Sequence, residues 1–220
     1  MRILLIFFLL LSYFSSEAQS GKYDEIRKQL EYIHILDQAG REKSDSVQKL
    51  YQGDSIQMMM HMKRVWDDIH IQDSINQIAV TKILDQHGWL GVKDIGEDAN
   101  TTLFLVIQHA DLAVQEKYLP MMRDAAKKGN AKPSALALLE DRVALRQGRK
   151  QIYGSQVGWD MIHNDYYVQP LEDPDNVDTR RSSVGLPPMS VYLAHWSMKW
   201  DVDQYKKDLP AIEKRFWNRQ

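Results

Sequence analysis

Between Tyr23 and Leu36 the apolar residues Tyr23, Ile26, Leu30, Ile33 and Leu36 recur at intervals of three and four. That spacing lays them along one face of a helix. Gly40 is a natural stop for it. Residues 45–53 are polar and predict a loop or a short helix. Asp54 is placed to cap a second helix carrying Ile56, Met59, Met60, Val65 and Trp66. Asp73 is placed to cap a third, with Ile75, Ile78, Ala79, Ile83 and Leu84, ending at Gly88. The stretch Ile35-Leu36-Asp37-Gln38-Ala39-Gly40 is echoed by Ile83-Leu84-Asp85-Gln86-His87-Gly88, but the flanks differ, so the two read as similar helix ends.

Residues 89–96 predict a loop. Asp98 then caps a segment containing Leu103-Phe104-Leu105-Val106-Ile107, whose unbroken apolar run requires burial on most sides. Gln108-His109-Ala110 extends it beyond strand length, so helix is expected. Asp111 caps the next helix, with Leu112, Val114, Tyr118 and Met122, a kink at Pro120 and an end at Gly129. Pro133 opens another helix that runs to Gln147 and stops at Gly148. The texture then changes. Residues 151–156 and 165–170 are short and rich in Tyr and β-branched residues, which predicts a small hairpin or an irregular insertion. Residues 171–188 are turn-rich. A last helical region begins near Ser190 with Trp196, Trp200 and Trp217 in one stripe, broken by Pro210. The expected fold class is therefore mainly α: a single-domain, bundle-like array of six to eight helices with a short insertion after residue 148.

The first residues set the expected address. Met1-Arg2 precede an apolar run from Ile3 to Leu11, and Ser16 and Ala18 are small residues at signal-peptidase spacing. This predicts a signal peptide over residues 1–18, cleavage before Gln19, and export to the periplasm or the medium. The run is short for a membrane span, and no later segment approaches the length one needs. The mature domain is expected over 19–220. Cysteine is absent, which removes thiol catalysis and thiolate metal sites. With 28 basic and 30 acidic residues the net charge is −2, which argues against nucleic acid as a partner.

Four polar clusters sit beside apolar runs: Asp37-Gln38-Ala39-Gly40-Arg41, His87-Gly88-Trp89, Gln108-His109-Ala110-Asp111, and Asp141-Arg142 followed by residues 148–156. Buried polar groups are costly unless they bond one another, so one shared network is expected. His109 and His87 are candidate acid–base residues because imidazole titrates near neutrality, with Asp111 and Asp141 to orient them. Asp37, Gln38, Arg41, Gln108, Arg142, Tyr153 and Gln156 are candidate ligand-binding residues, since arginine holds carboxylate or phosphate bidentately and glutamine both donates and accepts. His109 and Asp111 lie two apart and diverge on a helix, so no metal and no cofactor is expected; Asp111 reads more simply as a helix cap. Met58, Met59, Met60 and Met62 read as packing. Ser155 lies outside any nucleophile-elbow pattern.

The segments Gln-His-Ala-Asp at 108–111, Asp-Arg-Val at 141–143, and Gly148-Arg149, Gln151 and Tyr153-Gly154-Ser155-Gln156 resemble a bacterial family of unknown function, common in Bacteroidetes and actinobacteria. Asp37-Gln38 with Arg41, and His87-Gly88-Trp89, fit the same resemblance, which spans about residues 24–190. It implies that these clusters form one site and carries no activity. Two readings follow. In one, an exported protein binds a small polar ligand, with hydrolysis by His acid–base chemistry. In the other, it is a non-enzymatic envelope interaction protein whose polar network is structural and whose aromatic C-terminal region is the working surface.

Overall fold

The computed structural model describes residues 21–51, 54–160 and 165–218. The expected signal peptide, 1–18, lies outside the described residues. Nine α-helices and one two-stranded hairpin make up the described chain, a mainly α domain with one helix more than the upper expectation.

Two long helices form the base: α1, Asp24–Leu50, and α2, Ser55–His87. Both run through positions that the sequence pattern reads as breaks. Gly40 is not a stop. A Cβ there would lie 2.7 Å from Cγ1 of Ile69, so glycine marks the point where α1 and α2 touch. Asp73 is not a cap but a mid-helix residue of α2. The polar segment after residue 45 is the last turn of α1 and its exit. Cross-helix pairs run in opposite senses along the two helices, Tyr23 with His87, Arg41 with Asp73 and Ser44 with Met62, so the pair is antiparallel. Asp54 does cap α2, accepting from the Gln57 amide at 3.0 Å. Gly88, at φ 69°, ends it in the left-handed region that favours glycine and turns the chain inward at Trp89.

Four further helices complete this core: α3 (Val92–Ile95), α4 (Glu97–His109), α5 (Leu112–Lys127) and α6 (Pro133–Arg146). The apolar run of α4 is buried, as its composition requires, with Ala99, Leu103, Phe104, Val106 and Ile107 packed against Leu30, Ile33, Val80 and Leu84. The cap of α4 lies at Gly96, not Asp98. Asp111 caps α5 through the Val114 amide at 2.9 Å. Pro120 and Pro210 both sit inside helices.

Beyond residue 148 the strands are β1 (Val157–Asp160) and β2 (Asp165–Val168), antiparallel with Val157 opposite Val168. The expected partner segment, 151–156, is a loop instead; Gln151 bridges to Leu171. Three helices follow: α7 (Val177–Ser183), α8 (Met189–Leu193) and α9 (Val202–Trp217). Val168, Leu171, Val177, Met189, Leu193 and Tyr205 form a second, smaller core, against which Trp196 and Trp200 pack. The expected tryptophan stripe is thus spread over a 3-10 turn, a loop and the end of α9. No helix of the described residues is long and apolar enough to cross a membrane.

Candidate functional site

The centre of the site is Asp37, 1 % exposed, in the middle of α1. Its Oδ2 accepts from Gln38 Nε2 at 2.7 Å. Its Oδ1 lies 3.2 Å from His109 Nδ1, and Arg41 Nη1 stands 3.4 Å from the same oxygen. Arg41 also donates to the Asp37 carbonyl at 2.7 Å and to both oxygens of Asp73 on α2 at 3.0 and 3.1 Å. One guanidinium therefore clamps two helices through two carboxylates, a bidentate geometry that suits arginine.

This arrangement fixes the histidine tautomer. An ionised Asp37 can only accept, so Nδ1 carries the proton. Nε2 is then the acceptor and faces the Gln108 amide at a long 3.4 Å. Burial pushes His109 below its ordinary value, reinforced by the charges of Arg41 and Arg142 and opposed by Asp37. The ring is neutral at pH 7. Burial pushes the Asp37 carboxyl up, but the His109 N–H, the Arg41 charge and the Gln38 amide outweigh it and hold the group below the usual carboxylate range. The centre is thus an ionised carboxylate holding a neutral imidazole, with the basic nitrogen turned away. Side-chain exposures of 16 % for His109 and 24 % for Arg41 give solvent a route to it.

Asp141 and Arg142 are neighbours on α6 with different tasks. Asp141, fully buried, accepts from three backbone amides of the following loop: Ile152 at 2.6 Å, Tyr153 at 2.9 Å and Ser155 at 2.9 Å. It folds the 151–156 loop onto α6. Burial raises its pKa, and these amides oppose the rise. Gln156 is tied into the loop, its amide N–H to Gln151 Oε1 at 2.8 Å and its side chain to Ser155 Oγ at 3.0 Å. Tyr153 offers its carbonyl to Arg181. Arg142 is in electrostatic reach of the centre: its charge acts on His109, and it feels Arg146, Tyr192 and Arg41. Its Nε is buried without a hydrogen-bond partner, and no carboxylate among the described residues pairs with it. Burial pushes its pKa down to about 10.

Asp37, Gln38, Arg41, Gln108 and His109 are therefore brought together, with Arg142 in electrostatic reach. Asp141, Tyr153 and Gln156 build the adjoining loop. His87 does not join them. It is exposed at the far end of α2 with its ring 5.8 Å from that of Tyr23, which precedes Asp37 by fourteen residues, or about 21 Å of helix. Asp111 is exposed and serves as a cap. None of the candidate catalytic or ligand-binding residues lines the cavities of about 240, 650 and 310 Å³. Sequence reasoning missed Asp73, Gln115, Arg146, Arg181 and Tyr192. Gln115, fully buried, holds the Gln108 carbonyl at 2.7 Å, and Arg146 holds that of Ala110 at 2.7 Å. The available signal for Asp73 was its place in the buried row Met62, Val65, Ile69, Asn76, Val80.

One oxygen each from Asp37 and Asp73 and one nitrogen of His109 lie within 4.8 Å of one another, a spacing that can hold a metal ion. Arg41 already bonds both carboxylates, so a cation there competes with an internal one.

A mainly helical domain with an aspartate–histidine centre at a helix crossing is the class these features define. The chain belongs to DUF6624, a family of unknown function, whose model matches residues 30–202. No curated protein and no solved structure matches it.

Proposed function

We propose that the protein is exported and binds a small ester that also bears a carboxylate or phosphate group, with that anionic group at Arg142 beside the Asp37–His109 pair and His109 as the base for hydrolysis of the ester bond. The leader-like residues 1–18 support export to the periplasm or the medium. The observation that carries the ligand reading is Arg142. A guanidinium held largely out of water, without a carboxylate, costs free energy until an anion arrives to pair with it. The neutral His109 then takes a proton from water at Nε2 as the water oxygen adds to the ester carbonyl carbon, Asp37 holds Nδ1–H and stabilises the imidazolium that forms, and the imidazolium returns the proton to the leaving alkoxide as the C–O bond breaks.

The test is titration calorimetry with inorganic phosphate and with acetate, on the parent and on Arg142→Gln. At least one anion binds the parent, and Arg142→Gln weakens it tenfold or more with the melting temperature unchanged or raised. A variant that melts lower and binds no differently overturns the proposal. That outcome favours the second reading, an envelope interaction protein. Its support is a row of exposed apolar residues on the outer face of α2: Ile56, Met60, Ile71, Ile75 and Ile78. The working surface under that reading moves from the aromatic C-terminal region, whose Trp196 and Trp200 pack inward, to this helix.

A further inference from the structure

Helix α2 carries apolar residues on two opposite faces. Met62, Val65, Ile69 and Val80 are buried against the rest of the domain, whereas Ile56, Met60, Ile71, Ile75 and Ile78 are each more than half exposed. At about 100° per residue, these five fall within about 100° of arc, on the side of the helix turned away from the buried stripe. Single exposed apolar residues are ordinary, but an aligned row of them marks a surface that meets a partner. The row has a charged turn in its middle. Arg64 and Asp67 continue the same line, so the order along it is Ile56, Met60, Arg64, Asp67, Ile71, Ile75. That order reads alike from either end, with an apolar pair outside and a charge inside; only the sign of the charge differs. Asp67 is bridged to Lys63 at 2.8 Å but its side chain stays more than half exposed, and Arg64 has no carboxylate partner among the described residues.

We propose that α2 is the interface of a symmetric dimer, in which this row packs antiparallel against the same row of a second copy of the chain. A two-fold axis at the level of Val65 and Trp66 sets Ile56 against the partner's Ile75, Met60 against the partner's Ile71 and Arg64 against the partner's Asp67, and each contact occurs twice. Four charges gather at the axis, two of each sign. A parallel pairing instead sets arginine against arginine and aspartate against aspartate, and a slip of one turn sets Arg64 against isoleucine; both are costly. A lipid surface fits poorly, because the charged turn falls inside the apolar row. Residues 56–75 span about 29 Å of helix, a narrow contact of the reversible class with micromolar affinity. The dimer is independent of the anion proposal: Arg142 lies on α6, and Arg41 meets α2 at Asp73, on the side away from the row. It also differs from the alternative function, which puts another envelope protein on this helix.

Sedimentation velocity of the purified chain, from about 1 to about 500 µM, measures the association. The parent passes from monomer to dimer across that range. Ile71→Glu weakens the dimer about tenfold or more, because it brings a charge into each apolar contact. Arg64→Asp does the same by gathering like charge at the axis, and Arg64→Asp combined with Asp67→Arg restores the parent's constant to within about threefold. These side chains are exposed, so each variant keeps the parent's far-ultraviolet circular dichroism. Oxidation reads the register. The chain has no cysteine, so Met60→Cys and Ile71→Cys each supply a single thiol. Mixed, the two variants form a disulfide-linked heterodimer. Alone, neither links to itself, since like positions stand about 16 Å apart along the helix axis, beyond disulfide reach. A monomer at every concentration, or a dimer indifferent to Ile71→Glu, overturns the interface. Failure of Asp67→Arg to rescue Arg64→Asp, or self-linking of either single variant in place of the heterodimer, overturns the antiparallel register.

Discussion

Replacing Asp141 by alanine tests whether the loop carrying Tyr153, Ser155 and Gln156 is held by one carboxylate. Three backbone amides converge on it at 2.6–2.9 Å, and the side chain is fully buried. A hydrogen bond to a charged group contributes about 1.5–3 kcal/mol, so a simple sum gives about 4.5–9 kcal/mol. The sum overshoots. The raised pKa of Asp141 shows that its burial is itself costly, and alanine recovers that cost. A net loss of about 3–5 kcal/mol is expected, because three backbone amides, that of Ser155 in a buried contact, lose their acceptor. For a chain of this size about 1 kcal/mol moves the midpoint by about 2–4 °C, so melting falls by roughly 6–20 °C. Circular dichroism measures the midpoint, and amide exchange reads Ile152, Tyr153 and Ser155 individually. Those three amides exchange fastest in the variant. Asp141→Asn, which keeps an oxygen for Ile152 and Tyr153 but turns an NH₂ toward Ser155, falls about half as far. An alanine variant within 3 °C of the parent, or one whose exchange accelerates everywhere alike, refutes the anchoring role.

Arg41→Lys keeps the charge and loses the fork that reaches Asp37 and Asp73 together, so it destabilises by about 1–3 kcal/mol in a denaturant titration; a variant as stable as the parent removes the clamp. Acidification acts through His109. Its folded pKa is depressed, so below about 6.5 the unfolded chain takes up a proton that the folded chain refuses, and stability falls with pH from 7 toward 5.5. His109→Gln flattens that part of the profile, read as melting midpoint against pH; a parallel fall in both proteins shows that another group is responsible.

The fold was legible where periodicity had a single meaning. The caps at Asp54 and Asp111, the buried run of α4 and the Pro133 start each follow from one local rule, and each is found. The errors share a cause. Gly40, residues 45–50 and Asp73 look like punctuation because glycine and short polar residues favour helix ends, but packing between two long helices overrides that preference. Asp73 lies on the buried side of α2 among Ile69, Asn76 and Val80, and a polar residue on an apolar stripe is also the mark of an internal bond. The same misreading hid a site residue: taken as a cap, Asp73 points along its own helix, whereas as a mid-helix residue it faces Arg41. His87 was grouped with His109 through a shared motif context, and nothing local distinguishes a histidine at a helix's far end from one at its crossing. The hairpin was expected six residues long per arm, over 151–156 and 165–170, and is four, because the Asp141 anchor makes residues 152–155 a loop.

The two arginines at the centre argue for a ligand more than either does alone. They have the same chemistry and act on the same imidazole, yet one is saturated and the other is not. Arg41 has acceptors on Asp37 and Asp73 and lies where Gly40 lets α1 and α2 approach, so its bonds are part of the helix contact. Arg142 comes from α6 and pairs with no described carboxylate, although Asp141, one residue away, is committed to the loop. A fold that needed a second structural clamp had a carboxylate at hand and spent it elsewhere. The two positions should therefore respond with opposite signs: loss of Arg41 lowers stability, and loss of Arg142 leaves it level or raises it while removing anion affinity. Equal destabilisation from both would make the centre a packing device, with His109 held in place for the helices and not for a substrate.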